Sequence, residues 1–330
     1  MEELLNFSVY SLDTDRFNND WSAVAAYTRN HQAAGLELLI DYDPLPDIPP
    51  GLVRAVHLPF WVTWLDVWRG EPDAARRYFP DVDPAGLRYA CGGGAAGQMV
   101  ETLRGLLANA ASLKPAYAVF HVSHVEPSHA LSRQYPYTDL EVVEATADLL
   151  NHVAATFPGG EPPVRLFLEN LWYPGLTFTA SPPAERLAER LSFDNWAFVL
   201  DTGHLMNTNP ALVTEDQSID YVLSVVARLS PAIKARIEGL HFHCSLSGPY
   251  QQQQLKAGLP PGFAGLPVAE QRNLARTNAF KIDEHRPFTR PGCREIIEAV
   301  QPHFLTHEFL SSTQAEYDQK LAVQRTALAS

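Results

Sequence analysis

Eight short apolar segments, separated by polar breaks and amphipathic stretches, are the feature of this sequence that most constrains its fold. The apolar segments predict β-strands at 6–11, 36–41, 53–58, 117–122, 164–170, 196–201, 237–243 and 304–309. Helices are predicted near 20–34, 97–113, 138–157, 183–192, 217–229, 292–301 and 312–328. Strands that alternate with helices in this way indicate a parallel sheet wrapped by helices.

A single (β/α)8 barrel that spans residues 1–330 is the predicted fold class, because the alternation runs through the chain without a break in composition. Only the second connection, 42–52, is too short for a full helix. Two connections are long, at about 59–97 after the third strand and 245–291 after the seventh. Both follow the carboxyl ends of strands, where barrel enzymes build their substrate-specific loops.

Ionisable residues stand at the ends of the third to eighth strands. Strands buried on both faces should be apolar throughout, and a buried carboxylate or imidazole is costly unless it has a partner. A divalent cation is such a partner, and His, Asp and Glu are its usual ligands. The residues concerned, with an Asp-x-His pair from the loop after the seventh strand, are His57, His121, Glu169, Asp201, His204, His241, Asp283, His285 and Glu308.

A family resemblance rests on the same segments: Val56-His57-Leu58-Pro59, Leu168-Glu169-Asn170, Asp201-Thr202-Gly203-His204, Leu240-His241 and His307-Glu308. They resemble the apurinic/apyrimidinic endonuclease type 2 superfamily of barrels, which includes endonuclease IV, xylose isomerase, and sugar phosphate isomerases and epimerases.

The resemblance implies three metal sites of the endonuclease IV type. His57, His121 and Glu169 would hold one ion, and Glu169 would bridge to a second completed by Asp201, His241 and Glu308. His204, Asp283 and His285 would hold a third. The chain departs from the endonuclease pattern after its seventh-strand His, where it has Phe242-His243-Cys244 in place of Asn-Asp.

Further candidates lie beside these ligand positions. His243 shares strand parity with His241, and we expect it to be an extra ligand, an acid or base, or a hydrogen-bond partner of a ligand. Glu169 and Glu308 are the other predicted catalytic residues. Aromatic residues in mouth loops either bind a large planar ligand or pack the loop onto the barrel. The predicted substrate-binding residues are Trp61, Trp64, Trp172 and His124.

A formal charge of -13 argues against duplex nucleic acid as a partner, since no run of Lys and Arg offsets it. Three scattered cysteines exclude a disulfide framework. We find no signal-like or membrane-spanning segment and expect a cytoplasmic protein. The oligomeric state is not predicted.

The predicted activity is metal-dependent hydrolysis of a phosphodiester or phosphate ester in a bulky small molecule. The resemblance includes cobamide-remodelling phosphodiesterases, which makes a corrinoid one such substrate. Zinc is the favoured cofactor, with manganese and iron as alternatives. A sugar or sugar phosphate isomerase or epimerase is the alternative activity, because Glu169 and Glu308 could act as acid and base across a sugar.

Overall fold

A closed barrel of parallel strands forms the centre of the computed structural model, which describes residues 1–329. Each strand pairs with the next along the chain, and the last pairs with the first, so the predicted (β/α)8 barrel is confirmed. Within the described residues the strands are β1 (Glu2–Ser8), β2 (Gly35–Leu39), β3 (Val53–His57), β4 (Tyr117–His121), β5 (Leu166–Glu169), β6 (Trp196–Asp201), β7 (Ile237–Phe242) and β8 (Phe304–His307).

Helices surround the barrel and fill the long loops. In chain order they are α1 (Ser11–Thr14), α2 (Trp21–Asn30), α3 (Leu65–Trp68), α4 (Ala74–Tyr78), α5 (Leu87–Cys91), α6 (Ala96–Ser112), α7 (Pro127–Ser132), α8 (Asp139–Ala154), α9 (Ser181–Arg190), α10 (Thr202–Asn207), α11 (Glu215–Arg228), α12 (Pro231–Lys234), α13 (Gly248–Ala257), α14 (Val268–Ile282), α15 (Cys293–Val300) and α16 (Gln314–Ala329). Capping boxes begin α8 at Thr138 and α11 at Thr214. None of the described helices has the length and apolar character that a bilayer span requires.

The predicted strand positions agree with the structure, and the largest difference is at β1. That strand begins at Glu2 and ends at Ser8, whereas the apolar pattern predicted 6–11. The difference arises because polar residues occupy the start of β1, where Glu3 pairs with Arg325 at 2.9 Å. The 42–52 connection contains no helix among the described residues, as its length predicted.

Strand parity determines which side chains reach the barrel interior. Alternate residues along β5, Leu166 and Leu168, face the helices, whereas Phe167 packs in the interior with Tyr117 of β4, ring centroids 4.0 Å apart. Glu169 therefore points inward, one layer above Phe167. The same alternation makes Glu308 an inward residue and directs His307 outward, toward Glu3.

The two long loops contain helices of their own. α3, α4 and α5 lie between β3 and α6, and α13 and α14 lie between β7 and α15. An antiparallel bridge between Cys244 and Arg286, with N···O distances of 2.7 and 3.0 Å, ties the end of the second loop to a residue just beyond β7. This bridge returns the segment that carries Asp283 and His285 to the mouth of the barrel.

Candidate metal centre

His57, His121 and Glu169 form the first group of ligand-type side chains at the carboxyl end of the barrel. His121 and Glu169 are paired in register across β4 and β5. Oε2 of Glu169 lies 3.1 Å from Nε2 of His121 and 3.3 Å from Nε2 of His57. Nδ1 of His57 is 2.8 Å from the Leu58 carbonyl, to which it donates, and this leaves Nε2 free to face the carboxylate.

His241 is the centre of the second group, because three carboxylates converge on its Nδ1. The nearest oxygens of Glu308, Glu169 and Asp201 are 3.0, 3.3 and 3.8 Å away. Asp201 and His241 are paired in register across β6 and β7, which places both at one level of the barrel. The convergence of four residues from the carboxyl ends of four strands is what a shared cation requires.

The Asp-x-x-His spacing after β6 has a local structural cause. Asp201 is the N-cap of α10, and its Oδ1 accepts the His204 backbone N–H at 2.6 Å. One turn of helix thus returns His204 to the side of Asp201, with Oδ2 3.5 Å from Nδ1. Asn170 fixes the same strand end by accepting the Asp201 N–H at 2.8 Å and donating to its carbonyl at 3.1 Å.

Asp283 and His285 complete a third group with His204. Oδ2 of Asp283 is 3.2 Å from Nε2 of His204 and 3.4 Å from Nδ1 of His285. Nδ1 of His204 donates to the Asn170 carbonyl at 2.9 Å, so its Nε2 is the nitrogen that faces the group. Nε2 of His285 lies 3.5 Å from Oε1 of Glu308, which connects the third group to the second.

His243 is fully buried between the second and third groups. Its Nε2 is 3.0 Å from Oδ2 of Asp201 and 4.0 Å from Oε2 of Glu308. Its ring stacks on His285, with centroids 4.2 Å apart and planes 6° from parallel. On its other side it packs against Gly203, where a Cβ atom would lie only 2.0 Å from Cε1 of the ring. His243 therefore belongs to the cluster and is held tightly in place.

The buried carboxylates and imidazoles of the cluster shift one another's pKa values toward the charged forms. Burial by itself raises the pKa of Glu169, but the neighbouring charges of His121 and His241 hold that pKa well below its usual value. Burial also lowers the pKa of His241, yet the carboxylates of Glu37, Glu308 and Glu169 raise it well above the ordinary value.

The third group behaves in the same way. Burial opposes ionisation of Asp283, but His285 and His204 lower the pKa of its carboxyl to about 2. Burial disfavours the imidazolium of His285, but Asp283 and Glu308 raise its pKa to about 9. The carboxylates of Glu169 and Asp283 are therefore ionised at neutral pH and attract cations.

The residues fit a divalent metal ion. Imidazole with carboxylate is the ligand set of zinc, manganese and iron sites. Four sets of side chains have ligand atoms within 4.8 Å of one another, as one ion would need: His57, His121 and Glu169; Glu169, Asp201 and His241; Asp201, His204 and His243; and His243, His285 and Glu308. Buried polar atoms normally have aligned hydrogen bonds. Within residues 1–329, the atoms at this mouth that lack one include both oxygens of Glu169, both ring nitrogens of His241, Oδ1 of Asp283 and Oε2 of Glu308. The cluster could hold a metal; ligation by each named residue stays a prediction.

The predicted substrate-binding aromatics differ in position. Trp61 and Trp64 are buried, and their indole N–H groups donate to the Tyr42 hydroxyl and the Ser123 carbonyl, both at 2.7 Å. They pack the loop after β3 onto the barrel. Trp172 is also buried but lies against His204, with ring centroids 5.1 Å apart. Phe60, not predicted to bind substrate, is 48% exposed and stacks on His121 at 4.5 Å.

His124, the fourth predicted substrate-binding residue, is completely buried beneath the loop after β3. Its Nδ1 accepts the backbone N–H groups of Trp64 and Leu65, both at 3.2 Å. Burial lowers its pKa to about 3, so its ring is neutral at physiological pH. In this position the side chain organises the Trp64 loop, and direct contact with a substrate would require that loop to move.

Glu37 on β2 is a buried residue of this site that was not predicted from the sequence. Its Oε1 lies 2.8 Å from Nε2 of His241, on the side of the ring opposite the other carboxylates. A signal was present, because Glu37 interrupts the apolar run Leu36-Glu37-Leu38-Leu39-Ile40. The signal differs from that of the other candidates, since Glu37 lies in the middle of its strand and they lie at strand ends.

Known proteins resemble this chain in structure. No protein-family model and no curated protein matches its sequence. Endonuclease IV from Thermus thermophilus aligns over 100% of this chain and 99% of its own, with a TM-score of 0.53 at 14% identity. A second Thermus thermophilus protein, soaked with ZnCl2, covers 100% and 98% with a TM-score of 0.45 at 19% identity. For 3-keto-D-glucoside 4-epimerase from E. coli the coverage is 99% of both chains, the TM-score 0.46 and the identity 13%.

The first of these likenesses identifies the fold. The chain shares the (β/α)8 barrel fold of endonuclease IV from Thermus thermophilus, in agreement with the fold that the strand-end motifs predicted. Its likeness to the endonuclease is one of fold, and the reaction has to be argued from the site.

Proposed function

We propose that this chain is a divalent-metal-dependent hydrolase that cleaves a phosphodiester or phosphate ester in a small molecule. The observation that carries the proposal is the overlap of the three groups through shared carboxylates. Glu169 contacts His121 with one oxygen and His241 with the other. Glu308 likewise contacts His241 and His285 with different oxygens. A mouth with this many linked ligand atoms is suited to two or three cations.

In the proposed enzyme, zinc is the favoured ion, and manganese and iron are alternatives with the same ligand chemistry. When bound, such cations neutralise charge on a phosphoryl group and activate water as a nucleophile. The chain's own contribution is to hold the ligands: His57, His121, Glu169, Asp201, His204, His241, Asp283, His285 and Glu308.

Three residues receive more specific roles in the proposal. The side chain of Glu308 is 17% exposed, while that of Glu169 is fully buried, so Glu308 is the carboxylate placed to orient an incoming water. Glu169 holds the first two groups together. His243 keeps a proton at Nε2 against Oδ2 of Asp201, and a role for it as acid or base stays a prediction.

The substrate of the proposed hydrolase is not duplex nucleic acid, because a net charge of -13 repels a polyanion. We extend the proposal to a bulky planar molecule, with corrinoids as the first class to test. Trp61 and Trp64 give little support, since both pack the loop. Support comes from Phe60 and Trp172, which lie against ligand histidines at the mouth.

A sugar or sugar phosphate isomerase or epimerase is the second candidate function. The observation that favours it is the placement of Glu169 and Glu308 around His241 Nδ1, at 3.3 and 3.0 Å. Two carboxylates around one ion could exchange protons with opposite faces of a sugar.

Metal analysis combined with a substrate screen separates these functions. The protein is purified without chelator, its bound metals are counted, and it is assayed on phosphodiesters, phosphate monoesters and ketose sugars. Two or three ions per chain with ester hydrolysis support the hydrolase. One ion with sugar isomerisation supports the alternative, and absence of bound metal after loading defeats both. Titration of a cobamide, followed by its absorbance, tests the corrinoid extension, which is rejected if none binds at high micromolar concentration.

A further inference from the structure

Glu37 stands apart from the ligand-type residues because it lies inside the barrel, beneath them. It is 3% exposed and shares its interior layer with Tyr117 and Thr306. Its Oε2 accepts the Tyr117 hydroxyl at 2.7 Å and the Thr306 hydroxyl at 2.9 Å. Its Oε1 is directed to His241, with 2.8 Å between that oxygen and Nε2. Two hydroxyl donors thus fix one oxygen and leave the other for the histidine.

The orientation of His241 differs from that of the histidines in the first group. His57 and His121 both present Nε2 to Oε2 of Glu169. His241 presents Nδ1 instead, with Oε2 of Glu308 at 3.0 Å. A neutral imidazole can bind a cation through Nδ1 only if its proton is on Nε2. The acceptor nearest to that nitrogen is Oε1 of Glu37, 2.8 Å away.

We propose that Glu37 is the positioning residue of the second metal subsite, selecting the His241 tautomer that presents Nδ1 to Glu169, Asp201 and Glu308. The inference rests on the proposed metal-dependent function and deepens it. A buried carboxylate is costly, and the chain places this one where its charge is met by two hydroxyls and one imidazole. Glu37 reaches the cluster through its contact with His241, so its influence on a cation is exerted through that ring.

Glu37→Gln tests this role because it retains shape but replaces one oxygen with an N–H donor. The amide oxygen can still accept from Tyr117 and Thr306, whereas the amide nitrogen now faces His241 Nε2. That nitrogen would favour the opposite tautomer, in which Nδ1 carries the proton and cannot bind a cation. Loss of such an outer partner typically weakens metal binding roughly 10–100-fold, and we expect zinc affinity to fall by that factor.

A matched control is present in the same barrel. Glu3 pairs with His307 at 3.3 Å, but this pair lies outside the barrel wall, whereas the ligand-type side chains face its interior. Glu3→Gln therefore removes a carboxylate–imidazole contact of the same kind, and we expect it to leave zinc affinity unchanged. Tyr117→Phe is the milder variant of the Glu37 network, since it removes one donor to Oε2, and it should weaken zinc binding only a few-fold.

Zinc affinity by chelator competition and 15N NMR of histidine-labelled, zinc-loaded protein are the two measurements. In the unmodified protein His241 should show a metal-bound Nδ1 and a protonated Nε2, and in Glu37→Gln this signature should be lost. Unchanged affinity and an unchanged His241 signature in Glu37→Gln would overturn the positioning role. If that variant does not fold, Tyr117→Phe decides by the same two readouts. Failure of the unmodified protein to bind zinc would instead overturn the proposed function itself.

Discussion

Neutralising Glu169 is the perturbation that tests the cluster most directly. Its side chain is fully buried, and its two oxygens lie 3.0–3.3 Å from nitrogens of four histidines. Glu169→Gln keeps the volume and the backbone environment of β5 while it removes the charge that the first two groups share. We therefore expect the barrel to fold and the cations to bind weakly.

The size of the effect follows from these distances. Two unit charges about 3 Å apart attract by about 5 kcal/mol at an effective dielectric constant of about 20. Much of this is offset by the cost of removing the charges from water. If two-fifths survives, about 2 kcal/mol is lost, which corresponds to roughly a 30-fold drop in zinc affinity.

Chelator competition measures the affinity, and circular dichroism checks that the fold is retained. Glu144→Gln is the control, because Glu144 is a half-exposed residue of α8 that pairs with Arg186 on the outer surface. It should leave zinc binding unchanged. If Glu169→Gln bound zinc as tightly and in the same number as the unmodified protein, Glu169 would not be a ligand, and the interpretation of the barrel mouth would be wrong.

Three further outcomes are expected. Gly203→Ala inserts a Cβ 2.0 Å from the His243 ring, so His243 should be displaced from Asp201. Turnover should fall ~100-fold while the circular dichroism spectrum stays unchanged. Full activity of this variant would contradict the role of His243. The pKa of His285 is about 9 and a ligand imidazole must be neutral, so zinc binding at pH 7.5 should release a proton from His285. Calorimetry in buffers of different ionisation enthalpy measures this release, and the His285→Gln variant should release about one proton fewer on binding zinc. Equal proton release by the two proteins would contradict ligation by His285. In chelated protein the same raised pKa stabilises the fold fully below pH 6.5 and loses this contribution as the pH rises through 9, by at most ~3 kcal/mol. Urea unfolding at pH 6.5 and 9.5 checks it, and a loss of equal size in His285→Gln would refute the assignment.

The order of the strands, and the end of the barrel at which the site lies, could be predicted from the sequence. Parallel strands buried on both faces must be apolar, so each apolar run predicted a strand, and the β3 to β8 predictions agree with the structure within about two residues. Since the carboxyl ends of such strands meet at one mouth, Glu169, Asp201 and His241 had to lie near one another. The β1 prediction was displaced because its polar first residues are paired with other parts of the chain.

The functions of individual side chains depended on contacts that span the chain. The indole groups of Trp61 and Trp64 are engaged by Tyr42 and Ser123, which no local pattern reveals. The Cys244–Arg286 bridge determines that Asp283 and His285 return to the mouth. Glu37 was missed because its partners are distant in sequence: Tyr117 is 80 residues away and Thr306 is 269.

The sequence alone therefore determined the barrel fold and the end of the barrel at which its ionisable residues lie, because strand parity and burial act on each strand separately. Only the tertiary structure decided which carboxylate meets which nitrogen of each imidazole. That outcome depends on hydrogen-bond distances, about 3 Å, between residues from different strands and loops, and these are fixed when the barrel closes.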